Sequence, residues 1–108
     1  MPRLRVWITW RFEAMHCWPA APAEFAWLAM PHRHEFHARA EFDVREPDRE
    51  LEFIRLKRQA IDLTATQARN EESRTWSCEH WCLWLLDRLR ATAVEVSEDG
   101  ENGARVDR

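Results

Sequence analysis

The chain has 108 residues, 45% of them hydrophobic, and 16 Lys+Arg against 19 Asp+Glu give a formal net charge of −3. That is one domain of ordinary size, residues 1–108, short for a self-sufficient enzyme, and its apolar fraction excludes a disordered chain. The charge balance gives no reason to expect nucleic acid or an anionic membrane as partner, and no apolar run approaches the roughly 20 residues a membrane span needs.

Residues 4–11 (LRVWITWR) alternate, with Leu4, Val6, Ile8 and Trp10 on one side and Arg5, Trp7, Thr9 and Arg11 on the other. That predicts a half-buried strand with Phe12 as its continuation. Residues 19–26 hold two of the five prolines and read as a loop. Residues 34–44 (HEFHARAEFDV) read as a second strand, ended by a turn at Glu46, Pro47 and Asp48. Over 50–63, Leu51, Phe53 or Ile54, Leu56, Ala60, Ile61 and Leu63 recur at helical spacing. Residues 64–75 are polar and read as a loop or a frayed helix end. The clearest helix is 77–90, with Ser77 as N-cap, Glu79 and His80 in its first turn, and Arg88 and Arg90 at its end. Residues 93–97 read as a strand, EDGENG (98–103) as a hairpin loop, and Ala104–Arg108 as a last short strand. The predicted order is β-β-α-α-β-β, an α+β fold with a four-stranded antiparallel sheet and two helices on one face.

Two Gly, no Tyr and seven Trp predict few tight turns and several aromatic anchors, suited to a subunit interface. The three cysteines are Cys17, Cys78 and Cys82. An odd count behind a start without a secretory apolar region points to free thiols in a reducing cytoplasm. Cys78 and Cys82, spaced i, i+4, read as small buried hydrophobes on one helix face.

The five histidines are His16, His32, His34, His37 and His80. His32 and His34 share a strand face, because side chains alternate along a strand. If the first two strands form a hairpin, His16 at the end of one comes beside that pair at the start of the other. Three convergent imidazoles make the His₃ set of an open, catalytic-type zinc site. Imidazole suits several other metals as well.

At this point the sequence resembles the 6-pyruvoyl-tetrahydropterin synthase / 6-carboxy-tetrahydropterin synthase (QueD-like) family of the tunnelling fold (T-fold). Phe12-Glu13-Ala14-Met15-His16 is similar to the family's F-x-A-x-H, and His32-Arg33-His34-Glu35-Phe36 to its H-G-H-x-[YF]. The segment Arg49–Lys57 resembles G-x-x-x-D-F-x-x-L-K, with Glu52 in place of Asp. Ser77-Cys78-Glu79-His80-Trp81-Cys82 resembles P-T-x-E-N-x-A. Val94–Asp99 resembles V-x-V-x-E-T, with Ala104 and Val106 where the family has a short returning strand.

The resemblance implies a zinc-dependent lyase acting on 7,8-dihydroneopterin triphosphate or a related pterin, in 7-deazaguanine (queuosine-type) or tetrahydropterin biosynthesis. It implies zinc on His16, His32 and His34, a pterin-binding Glu98, and Ser77 and Glu79 at the substrate. It further implies a homo-oligomer, a trimer or hexamer whose sheets close into a barrel with sites between subunits. A carboxylate at Glu98 suits the two parallel N–H groups of a 2-aminopyrimidinone edge.

The departures concern proton transfer. The family's cysteine base, four residues before the His pair, is Leu28 here. Its Asp-His pair falls at Asp62-Leu63, or at Ala65-Thr66 in the other register, and neither supplies a histidine. Arg33 replaces the Gly between the two zinc ligands. Cys17 and His37 have the wrong strand parity to substitute, and His80 reads as structural. A positioned acid or base contributes about 10²–10⁴-fold. Two alternatives therefore stand beside the lyase: a T-fold protein that binds a pterin or purine without transforming it, and an oligomer partner that has lost its site.

Overall fold

A computed structural model of the chain describes residues 2–108. It is α+β. Four strands, β1 (Leu4–His16), β2 (His32–Val44), β3 (Ala93–Glu98) and β4 (Asn102–Asp107), form one antiparallel sheet in the order β1-β2-β3-β4. Two α-helices, α1 (Phe53–Gln67) and α2 (Cys78–Leu89), lie between β2 and β3 in sequence. The element order departs from β-β-α-α-β-β by two short 3₁₀ segments. These are Ala23–Ala29, interrupted at Phe25 and overlapping the loop expected over 19–26, and Glu71–Thr75, within the stretch expected to be a loop or a frayed helix end.

Several boundaries also move, for local reasons. β1 runs to His16 because the alternation persists, with Phe12 and Ala14 buried and Glu13 and Met15 outward. α1 starts at Phe53 rather than at residue 50. Glu50 is committed elsewhere, its carboxylate accepting the Arg45 and Glu46 N–H groups at 2.9 and 3.0 Å. Glu52 becomes the N-cap and accepts from Ile54 N–H at 3.0 Å. The helix then continues through Thr64, whose hydroxyl accepts from Trp10 Nε1 (3.1 Å) and donates to Ala60 O (2.8 Å). A buried polar residue that is satisfied in this way does not end a helix. The last hairpin contracts to a tight turn. Asp99 and Gly100 both have positive φ (55° and 77°), and Glu101 N–H donates to Glu98 O at 3.1 Å. Two adjacent left-handed residues match the right-handed twist of the flanking strands, so β4 starts at Asn102.

The even-numbered face of β1 and β2 is the core. Ile8, Trp10, Phe12, Phe36 and Ala38 pack with Val94 and Val96 beneath the two helices. Fully buried Trp81 of α2 lies 4.8 Å, centroid to centroid, from both Phe12 and Trp76. The Trp excess is therefore divided: Trp10, Trp76 and Trp81 are core, while Trp7, Trp18 and Trp27 are exposed.

The odd-numbered face carries charge. Arg5, Arg39 and Arg105 converge on Glu41 at 2.9, 3.1 and 3.1 Å, and their hydrogen bonds, that of Arg105 foremost, bring its carboxyl down to about 2. No helix of the described residues is long and apolar enough to cross a membrane.

Trp81→Ala should cost about 3–5 kcal/mol of unfolding free energy in a denaturant titration, the usual range for an aromatic removed from a core. Glu41 gives a pH signature. Its folded pKa lies below the unfolded value of about 4.3. Its contribution is therefore complete above that value and is lost as pH falls toward about 2. The melting temperature of Glu41→Gln should start lower at neutral pH and fall less steeply over that acid window.

Candidate metal centre

The hairpin register builds the centre. His16, the last residue of β1, is the Cα partner of His32, the first residue of β2, and His34 is partnered with Ala14. All three side chains project to the helix-covered side of the sheet, at the end where the hairpin opens. Ring centroids stand 5.3 Å apart for His16–His32, 5.8 Å for His16–His34 and 4.5 Å for His32–His34. One nitrogen from each ring lies within 4.8 Å of the others.

Hydrogen bonding fixes which nitrogens are free. His32 Nδ1 is 2.8 Å from Met30 O. A carbonyl only accepts, so Nδ1 carries the proton and Nε2 keeps its lone pair. That Nε2 and His16 Nδ1 are both buried and without a partner. Unsatisfied buried nitrogens cost about 1–3 kcal/mol each, and a cation accepting their lone pairs removes the penalty. A backbone carbonyl holding the far nitrogen of a histidine is also the usual support of a metal ligand. Burial lowers the pKa of His16, opposed by the charge of Glu98 and reinforced by His32 and His34. Burial thus disfavours the charged imidazolium, and the neutral ring is the form that ligates a metal. By donor set and by orphaned atoms, the residues fit a divalent metal.

The connection between the strands is tied down at the same point. Cys17 N–H donates to Arg74 O (2.8 Å) and Trp18 N–H to Leu28 O (2.6 Å). The first bond draws the end of β1 to the 3₁₀ segment that leads into α2. As a result the start of α2 walls the cavity in front of the histidines.

This cavity has a volume of about 570 Å³. It brings together all six residues singled out in the sequence: His16, His32, His34, Ser77, Glu79 and Glu98. Glu98 is half-buried at the end of β3, its Oε2 3.6 Å from His34 Nε2. Ser77 caps α2 by accepting His80 N–H at 3.1 Å, which leaves its own O–H free to donate. Glu79 stands exposed in the first turn.

Three further wall residues follow from tertiary placement. Leu28 supplies hydrocarbon. His80 faces the cavity while stacking on Trp76, 4.3 Å between centroids and 12° between planes. Cys78, read as a buried hydrophobe, is half-buried and lines the cavity. Its thiol is pushed up to about 12, by burial first and by the charge of Glu98 second, so it is protonated at neutral pH. Its i+4 neighbour Cys82 is buried as expected, with Sγ 3.3 Å from Ala104 O. The i, i+4 spacing does not separate these two roles. What separates them is that Cys78 is the first residue of the helix, at the cavity rim.

No protein-family model matches this chain, and no curated protein matches it at a significant level.

Purified protein given zinc and then dialysed should retain about one metal ion per chain by elemental analysis. Removing one of three ligands, as in His32→Ala, should lower that occupancy at least tenfold and abolish the rise in melting temperature that zinc produces in the parent protein. Equal retention by both proteins would show that the metal is held elsewhere.

Proposed function

We propose that the chain is a T-fold protein that holds zinc on His16, His32 and His34 and acts, as a pterin synthase-like lyase, on a small hydroxylated pterin in the adjoining cavity. The observation that carries this reading is the meeting of three imidazoles, two with orphaned nitrogens, in one cavity with Glu98. Bound zinc would polarise a substrate hydroxyl or water and lower its pKa. The chain supplies the rest. The Glu98 carboxylate accepts the paired N–H groups of the pterin edge, and the Ser77 hydroxyl donates toward the substrate. Leu28 and the ring of Trp18 give the cavity apolar lining for the substrate to pack against. The sheet leaves one edge of β1 and one of β4 unpaired, and β1 shows Leu4 and Trp7 to solvent. Such edges call for a partner, which fits the homo-oligomer that the resemblance implies.

A second reading has its own support. Leu28 lines the cavity where the resemblance places the cysteine base, and the one thiol on the wall, Cys78, stays protonated. This favours a site that binds its pterin without turning it over.

Zinc-loaded protein offered 7,8-dihydroneopterin and its triphosphate decides between the readings. Product formation supports the lyase. Calorimetric binding without product supports the binding protein. A metal-free chain with neither sinks both. Under either reading, Glu98→Gln should weaken pterin binding by roughly 10–100-fold, the loss of a charge-assisted hydrogen-bond pair.

A further inference from the structure

We propose that His80 is the proton-transfer group of this cavity, acting in place of the cysteine base that the resemblance puts at the position of Leu28. The inference rests on the lyase reading above and names a catalytic residue for it.

The sequence makes His80 a structural residue at the start of a helix. The structure puts its ring on the cavity wall, together with the three histidines of the hairpin and Glu98. The residue is held from two directions. Its backbone N–H donates to Ser77 Oγ at 3.1 Å, which fixes its place in the first turn of α2. One face of the imidazole lies on Trp76, 4.3 Å between centroids and 12° between planes. Trp76 is buried, 4.8 Å from Trp81 and 5.6 Å from Trp84. The plane of the His80 ring is therefore set by the core.

A stack engages the face of a ring and leaves its edge free. Among the described residues, His80 makes its hydrogen bond through the backbone, and neither ring nitrogen is tied to a protein partner. The residue is exposed, so its ring can exchange a proton with water. An uncommitted nitrogen on a ring of fixed plane is what acid–base catalysis needs, and imidazole is the side chain most often used for it. The other groups of the wall have different duties. His16, His32 and His34 face one another as metal ligands, and Glu98 stands beside His34. Cys78 keeps its proton at neutral pH. Glu79 is exposed, and among the described residues no hydrogen bond orients its carboxylate.

In the step assigned to it, the neutral ring of His80 takes a proton from a carbon of the substrate's hydroxylated side chain. The C–H electron pair passes into the adjoining C=N bond of the dihydropterin ring. The imidazolium then gives its proton to that ring nitrogen, directly or through one water. The net change is a proton moved from carbon to nitrogen, and no oxidant or reductant enters.

The test compares the zinc-loaded parent with two variants, with zinc content and melting temperature checked for each. His80→Phe keeps a ring to stack on Trp76 and removes both nitrogens. His80→Ala leaves a space that a free imidazole can enter. With 7,8-dihydroneopterin triphosphate as substrate, kcat should fall at least about a hundredfold in both variants while KM changes little. Uptake of deuterium from heavy water into the substrate side chain should fall with it. Added imidazole should restore turnover in His80→Ala and not in His80→Phe. Parent-like turnover by His80→Phe, or failure of imidazole to rescue His80→Ala, overturns the inference and leaves the lyase standing. Loss of zinc or of folding in both variants makes the role structural and overturns it as well. Absence of turnover in the parent overturns the lyase reading and the inference together.

Discussion

The pairing of His16 with His32 across the first hairpin is the constraint on which the rest depends. In an antiparallel pair, one residue of slip moves every side chain to the opposite face. The register that sets His16 opposite His32 also buries Ile8, Trp10, Phe12, Phe36 and Ala38. The site and the core therefore share one parity. A slip that dispersed the three imidazoles would bring Trp7, Thr9 and Arg11 to the helices in place of those core residues. The hydrophobic energy of the core thereby holds in place a cluster of polar rings that has no intrinsic reason to assemble.

The same parity accounts for the far face. Arg5, Arg39 and Arg105 surround Glu41 there, and Arg33 and Arg11 pair with Glu13 and Glu35. The pleat thus sorts the arginines and their carboxylate partners, with His37 on Glu35, to one side, and His16, His32, His34 and the apolar core to the other. Arg33, between His32 and His34 in sequence, leaves from the opposite surface of the strand toward Glu13 for this reason.

Around the histidines, two other elements finish the cavity. The tie from Cys17 N–H to Arg74 O brings the start of α2 across the mouth of the hairpin. The two-residue turn at Asp99 and Gly100 ends β3 so that Glu98 remains beside His34. One carboxylate at the head of a helix and one at the end of a strand, far apart in sequence, come to flank the same three rings. What meets there is a set of three imidazoles able to hold a metal ion, carboxylates that accept N–H groups, and a wall at Leu28 and Cys78 whose thiol stays protonated.

Alternation and helical spacing in the sequence determined the α+β class, the four strands, the Ser77 cap of α2 and the shared face of His32 and His34, because each of these depends on residues a few positions apart. The meeting of His16 with His32 and His34 was legible on the assumption of a hairpin, whereas Ser77, Glu79 and Glu98 joined the candidates only through the family resemblance. The end of β1 at His16, the delayed start of α1, the two 3₁₀ segments and the cavity position of Cys78 were not legible. Each depends on a partner distant in the chain or on a competing local bond. Glu50 is drawn to the turn at residues 45–46, Thr64 is satisfied by Trp10, and Cys17 is bonded to Arg74. Periodicity reports which face a residue occupies, but which groups meet across that face is decided by hydrogen bonds and packing between elements, and these exist only once the chain has folded.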